Sequence, residues 1–111
     1  MANINKVKKG YRVEKRCQDD LKDEGYITWK TIRVKFQNID FFGLFDVVGL
    51  SDDGTHLRFI QCKSGYCPNS VKEDIRNLNM PPSCIKEVWC WFDDRKKGTK
   101  KQAGWLKEII Q

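Results

Sequence analysis

The chain is expected to fold as a single α/β domain: a helix, a three-strand antiparallel meander, a second helix, a further strand and a short C-terminal helical tail. Three observations predict this. Val7, Tyr11 (or Gly10), Val13, Cys17 and Leu21 recur near a helical period and stop at Gly25. Two apolar, β-branched runs, GLFDVVGL and LRFIQCKSG, flank Asp53-Gly54, the strongest short-range signal for a β-hairpin. A further helical pattern, Val71, Ile75 and Leu78, precedes the apolar run IKEVWCWF. The 111 residues suit one domain with one core.

The elements follow in order. The first helix is expected from about Asn5 to Glu24, with Arg12, Lys15, Asp19 and Lys22 on its polar face and Glu14 beside the apolar stripe. YITWKTIRVKF, Tyr26 to Phe36, alternates as a strand does, and Asn38 offers a break. The second strand is placed at Phe41 to Leu50 and the third at His56 to Ser64. Ser70 with Glu73 matches a capping box, although Pro68 and Asn69 allow other starts. Helix two ends before Pro81-Pro82. Ile85 to Phe92 is apolar on both faces from Val88 onward, as in a strand covered on both sides. Asp93 to Gln102 is charged and contains glycine, so it is expected to be a linker. Trp105, Leu106, Ile109 and Ile110 fit one side of a short final helix.

Composition narrows the function. Hydrophobic content of 40% and charged content of 32% exclude a wholly disordered chain. No stretch approaches the ~20 apolar residues that span a bilayer. The segment MANINKVKKGYR lacks the apolar run of a secretory signal. An intracellular, cytoplasmic protein is therefore expected (the host cell's cytoplasm for a viral chain), with no membrane partner. Five cysteines are an odd number for a disulfide framework, and they contain no CxxC. Free, mostly buried thiols are expected rather than zinc ligands.

Lys and Arg total 21 against 15 acidic residues, a net +6. That surplus suits a polyanion, with nucleic acid the first candidate. The charge gathers at Lys6, Lys8, Lys9, Arg12, Lys15 and Arg16, at Lys30, Arg33 and Lys35, and from Arg95 to Lys101.

The hairpin carries the candidate chemistry. A loop centred on Asp53-Gly54 sets Asp46 opposite Gln61, and directly opposed residues share a face with Cβ atoms roughly 4.5–5.5 Å apart. Lys63, two residues on, shares that face with Leu44, Val48 and Phe59. Carboxylate, amide and ammonium groups on a half-buried sheet are costly without partners or a task. A diagonal Asp46–Lys63 ion pair is the plainer explanation, but exposed pairs contribute only about 0–1 kcal/mol.

An acidic residue ending strand two, followed in strand three by an acidic or amide residue, any residue and lysine, resembles the signature of the PD-(D/E)XK nuclease superfamily. The matching residues are Asp46 in FDVVG and Gln61-Cys62-Lys63 in IQCKSG. The resemblance spans the chain from Glu14 to Phe92. Glu14 is similar to the helix-one glutamate of archaeal Holliday-junction resolvases and related phage nucleases. IQCK is similar to the glutamine variant of Mrr-type restriction nucleases, and Lys-Ser before glycine resembles the resolvases. Gln61 departs from the glutamate of most members. An amide oxygen can ligate a hard cation but brings no charge.

The resemblance implies a restriction-endonuclease-like fold and Mg²⁺-dependent (or Mn²⁺-dependent) phosphodiester hydrolysis. Asp46, Gln61, the Cys62 backbone carbonyl and Glu14 would bind the ion, with Asp40 a second candidate helper. Glu14 equally reads as a helix-surface carboxylate paired with Arg12 or Lys15, and Asp40 as a turn residue. Lys63 would orient water or stabilise charge; a lysine of ordinary basicity is protonated at neutral pH and is no base. The Cys62 side chain reads as core, and His56 as a solvated turn residue. Tyr11, Arg12, Lys30, Arg33, Lys72 and Arg76 are candidate phosphate contacts. Ser64 either contacts phosphate or ends its strand, and Tyr66 could stack or wedge. Such contacts position DNA without reading its sequence.

Two functions follow. The first is a structure-selective DNA endonuclease, a branched-DNA or four-way-junction resolvase acting as a homodimer. Trp105, Ile109, Ile110 and Trp29 are candidates for its interface, while Trp89 and Trp91 cover the chain's own sheet. The second is a DNA-binding or regulatory protein that keeps the nuclease fold without its activity.

Overall fold

A computed structural model describes residues 4–31, 33–34, 37–38, 40–97 and 100–111, with side chains over 11–31, 40–93 and 103–111. The chain is a small α/β domain in which two helices flank a five-stranded mixed sheet. Helix α1 spans Ile4–Asp23, as its apolar period predicts. Val13, Cys17 and Leu21 are buried on the sheet. Gly25, at φ +93°, closes the helix in a conformation that costs glycine least.

Strand β1 is only Ile27–Lys30. The single strand expected from Tyr26 to Phe36 is instead interrupted, and β2 (Arg33–Val34) pairs with β3 (Gln37–Asn38) as a separate two-stranded ribbon. The reason lies in the neighbouring strand. β1 pairs with β4 alone, and β4 is Val47–Leu50 rather than Phe41–Leu50. Beyond Thr31, whose N–H reaches the Asp46 carbonyl at 2.9 Å, no strand among the described residues lies beside β1 for it to lengthen along.

Residues 41–45 form a tight turn in place of the expected strand. Phe41 and Phe45 exchange amide–carbonyl hydrogen bonds of 2.8 and 3.0 Å. Gly43 takes φ +70° and Phe42 takes φ +55°, a left-handed region in which a bulky residue is strained by about 1–3 kcal/mol.

The hairpin between β4 and β5 (Leu57–Ser64) has the expected register, with Val47 against Ile60 and Leu50 against Leu57. Its turn is held by Asp53. Hydrogen bonds from the Thr55 and Ser51 hydroxyls and the Thr55 amide hold the Asp53 carboxyl at about 2, below the usual 3.8. A depressed carboxyl stabilises the fold fully above its unfolded pKa and loses that contribution as pH falls through the folded one. Acid should therefore loosen this turn between pH 3.8 and about 2. Urea unfolding midpoints measured across that window should fall less steeply for Asp53→Ala than for the native chain; parallel slopes would contradict the assignment.

Helix α2 spans Asn69–Asn77, starting at a Pro68 cap that makes no side-chain hydrogen bond. The capping box read from Ser70 and Glu73 is not formed. Ser70 lies inside the first turn, and Glu73 pairs with Arg76. At the other end the Lys86 ammonium donates to the carbonyls of Ile75 (2.7 Å), Arg76 (3.2 Å) and Leu78 (2.7 Å). A cation at those orphan carbonyls complements the helix dipole.

Strand β6 (Cys84–Lys97) runs parallel to β5, and β7 (Lys100–Ile109) returns antiparallel to β6. This corrects two expectations. The charged segment from Asp93 onward is hairpin rather than linker, and the C-terminal residues are strand rather than helix. Pairing Trp91 with Trp105 and Glu87 with Ile109 outweighs a short run whose apolar spacing suits either state.

The sheet order is β1-β4-β5-β6-β7. One face packs on α1 through Val47, Ile60, Cys62 and Trp89. The other holds Phe45, Phe59, Val88 and Cys90 against Ile75 of α2. All five cysteines are free thiols, four of them buried. Among the described residues no helix is long and apolar enough to cross a membrane.

Candidate functional site

The site begins where β4 stops. The Asp46 N–H donates to the Ile60 carbonyl at 2.9 Å, although Ile60 already faces Val47 in the ladder. Two residues against one is a β-bulge, which re-aims the bulged side chain. Asp46 was expected directly opposite Gln61; the structure corrects this by one residue. The consequence is chemical. The Asp46 carboxylate turns into the plane of the sheet and accepts the Cys62 N–H at 3.0 Å, where a strand carbonyl would otherwise lie. From Gln61 to Ser64, β5 is paired with β6 alone, so the Cys62 N–H and carbonyl both point toward this notch.

Glu14 approaches the buried Cys62 thiol from α1. Burial chiefly pushes the Cys62 thiol up, with the Cys17 thiol next and the negative charges of Asp46 and Glu14 adding to it. Both carboxylates therefore lie within electrostatic reach of one buried sulfur. Of the alternatives for Glu14, the surface carboxylate fails: it is 3% exposed.

Gln61 projects to the opposite face. Ile60 and Cys62 pack toward α1 and Phe59 toward α2, so alternation sends Gln61 and Lys63 to the α2 side. Lys63 is half-buried, and its charge opposes the rise that burial imposes on the Cys67 and Cys90 thiols of that face. The expected single catalytic face thus becomes a site astride the end of β5, with carboxylates on one side and amide and ammonium on the other.

Thr31 belongs to the site and is not apparent in the sequence. Its N–H bond to the Asp46 carbonyl places it at the end of the row. Glu14, Thr31, Asp46 and Gln61 are 3, 5, 6 and 8% exposed, four buried polar side chains around one strand end. Thr31 Oγ1 and Gln61 Oε1 are buried without a hydrogen-bond partner among the described residues. Each such atom costs about 1–3 kcal/mol, so native interiors keep few of them.

The expected nucleic-acid contacts divide. Tyr11, Arg12, Ser64, Tyr66 and Arg76 are exposed, while Lys30 is half-buried with its ammonium 5.1 Å from the Tyr11 ring. Lys72 is bound to Glu108 of β7 at 2.9 Å, and Arg76 to Glu73; each cation already has a carboxylate. The Arg33 side chain lies outside the described residues. Arg16, part of the basic cluster but not among the expected phosphate contacts, stacks over Trp91 at 4.0 Å.

His56 lies at the far end of the hairpin, accepting or donating a 2.8 Å bond with the Tyr26 hydroxyl, and takes no part in the site. Asp40 opens the Phe42 turn by accepting the Gly43 N–H at 3.1 Å. Of the apolar residues expected at a dimer interface, Ile110 is buried and Trp105 packs on Trp89 and Trp91 at 5.2 and 5.1 Å. Ile109 and Trp29 remain exposed.

Comparison with protein families, characterised proteins and solved structures finds no match to this chain.

Proposed function

We propose that the chain is a metal-dependent DNA endonuclease of the PD-(D/E)XK type, hydrolysing phosphodiester bonds in branched DNA such as a four-way junction. The observation that carries this reading is the concentration of four buried polar side chains where a bulge turns Asp46 inward. Two carboxylates, an amide oxygen and a backbone carbonyl are the hard oxygen donors that Mg²⁺ or Mn²⁺ prefers. Asp46 and Glu14 would hold the ion with the Cys62 carbonyl, Gln61 Oε1 would approach it from the other side of β5, and the unpartnered Thr31 Oγ1 would take a water. When bound, the cation supplies charge neutralisation at the phosphate and a lowered pKa for water.

The protein's own contribution is orientation. The Cys62 N–H fixes the Asp46 carboxylate, so the donor is set before substrate arrives. Lys63 stands beyond Gln61 on the same face and meets negative charge developing on the phosphate. The exposed cations and Tyr11 dock the backbone without reading bases. Two symmetric cuts in a four-way junction call for two copies of the chain.

A second reading has an observation of its own. Gln61 brings no charge, and among the described residues no three of His, Cys, Asp and Glu are grouped to hold a metal. A nuclease-fold DNA-binding protein without activity fits both facts. Incubating a four-way junction with Mg²⁺ or Mn²⁺, beside an Asp46→Ala control, separates the two: cleavage lost in the control supports the nuclease, and no cleavage by the native chain supports the binding protein.

Gln61 offers a finer test. Gln61→Glu should preserve cleavage and lower the Mg²⁺ concentration for half-maximal rate by roughly tenfold, since ligand charge tunes hard-cation affinity over such ranges. A Mg²⁺ titration at fixed ionic strength reads this directly. An unchanged or higher requirement would mean that Gln61 is no ligand.

A further inference from the structure

We propose that Trp29, Phe42 and Tyr66 form a base-stacking platform beside the candidate site, so that the nucleic acid it takes presents unpaired nucleotides there. The chemistry rests on the nuclease reading; the platform rests on three exposed rings, of which Tyr66 alone is already a candidate DNA contact. At 64, 66 and 80% exposure, these are the three most exposed aromatic side chains among the described residues.

All three lie on the face turned away from α1. Thr28 receives a hydrogen bond from Gln18 of α1, and Lys30 lies over Tyr11 of α1; alternation therefore sends Trp29 to the other side. The Phe42 ring stands 5.7 Å from Phe59, and the Tyr66 ring 4.7 Å from Phe92. Both neighbours belong to the core on the α2 side. Gln61 and Lys63 project to that face too, so the aromatic rings and the polar groups meet the same substrate. Helix α2 packs through Ile75 on Phe59, Val88 and Cys90, whereas the outer strands leave Ile27, Trp29 and Leu50 uncovered.

Phe42 supplies the independent observation. It holds φ +55°, a conformation that glycine adopts freely and phenylalanine does not. The residue is two-thirds exposed, so burial does little to offset the strain. Strained residues persist only where the surrounding structure holds them in place, and they cluster at functional sites. Here it holds an aromatic ring out toward solvent four residues before Asp46.

Stacking decides the substrate class. Bases inside a continuous duplex hide their faces in the stack, so unpaired bases are the ones most free to lie on a protein ring. Such stacking tolerates any base. The occupant is nucleic acid rather than a second copy of the chain, because the protein carries a net +6 and Lys63 shares this face.

The test measures binding without metal. Anisotropy titrations in EDTA compare a short labelled single strand with its duplex, for the native chain, Trp29→Ala, Trp29→Phe, Phe42→Gly, Tyr66→Ala and the triple variant Trp29→Ala/Phe42→Gly/Tyr66→Ala. The native chain should bind the single strand at least ~10-fold more tightly than the duplex. Each truncation should weaken single-strand binding about 5- to 150-fold, the span of one lost base–aromatic stack. Trp29→Phe should retain binding, and Phe42→Gly should bind less while unfolding at a higher temperature. Equal affinity for duplex and single strand, or an unchanged triple variant, would overturn the platform. So would sedimentation showing a dimer that Trp29→Ala dissociates with single-strand affinity unaltered. Nuclease and platform fail separately: absent cleavage with aromatic-dependent binding removes the first alone, and Asp46-dependent cleavage with indifferent aromatics removes the second alone.

Discussion

Replacing Asp46 by Asn should abolish junction cleavage while leaving DNA binding within about twofold of the native chain, because affinity rests on dispersed phosphate contacts. Asparagine keeps an oxygen to accept the Cys62 N–H, now met at 3.0 Å, and removes only the charge. The rate should fall by at least the ~10²–10³-fold that loss of one preorganised charge-stabilising group costs. Asp46→Ala should be equally inactive but also less stable by about 1.5–3 kcal/mol, since it deletes a buried hydrogen bond to a charged group. Lys63→Ala should match the activity loss without the Cys62 penalty. Single-turnover cleavage and urea unfolding together separate these effects. Near-native cleavage by either Asp46→Asn or Lys63→Ala would remove the site assignment, whatever happened to stability.

Much of this arrangement is legible in the residues, and the failures have physical causes. The α1 stripe and the Asp53-Gly54 hairpin are encoded locally, by a 3.6-residue period and by turn chemistry, so both appear as expected. Glu14 beside the stripe also reads correctly, because a helix fixes the direction of every side chain. The bulge at Asp46 does not show in the sequence. It depends on Asp46 taking both the Ile60 carbonyl through its amide and the Cys62 amide through its carboxylate, a choice made only once β4 and β5 are aligned. Thr31 looks like one more β-branched strand residue until the end of β4 defines its surroundings. The C-terminal segment is ambiguous for a related reason: Trp105 to Ile110 can line one side of a helix or alternate along a strand, and β6 decides.

The largest effect on stability should come from Glu87→Ala, far from the site. Glu87 lies on β6 and is 3% exposed. It accepts bonds of 2.6 and 2.8 Å from Arg58 Nε and Nη2 of β5, and one of 3.0 Å from Trp89 Nε1. Its carboxylate raises the Arg58 pKa further above its ordinary value, with Tyr26 and Glu24 contributing less. The Arg58 side chain is itself only 13% exposed, and Glu24 at 3.6 Å is too distant to replace a paired fork. Truncation would strand a buried guanidinium and an indole N–H together, a loss of about 3–5 kcal/mol for breaking one partner of a buried pair. Against a total of about 5–15 kcal/mol for a domain, that places the variant near unfolding at 25 °C. Replacing both charges, as in Arg58→Met/Glu87→Leu, should recover most of the loss, because the desolvation penalty disappears with the pair. Chemical denaturation of the two variants measures the difference. A Glu87→Ala chain within 1 kcal/mol of native stability would show that water or Glu24 satisfies Arg58 after all.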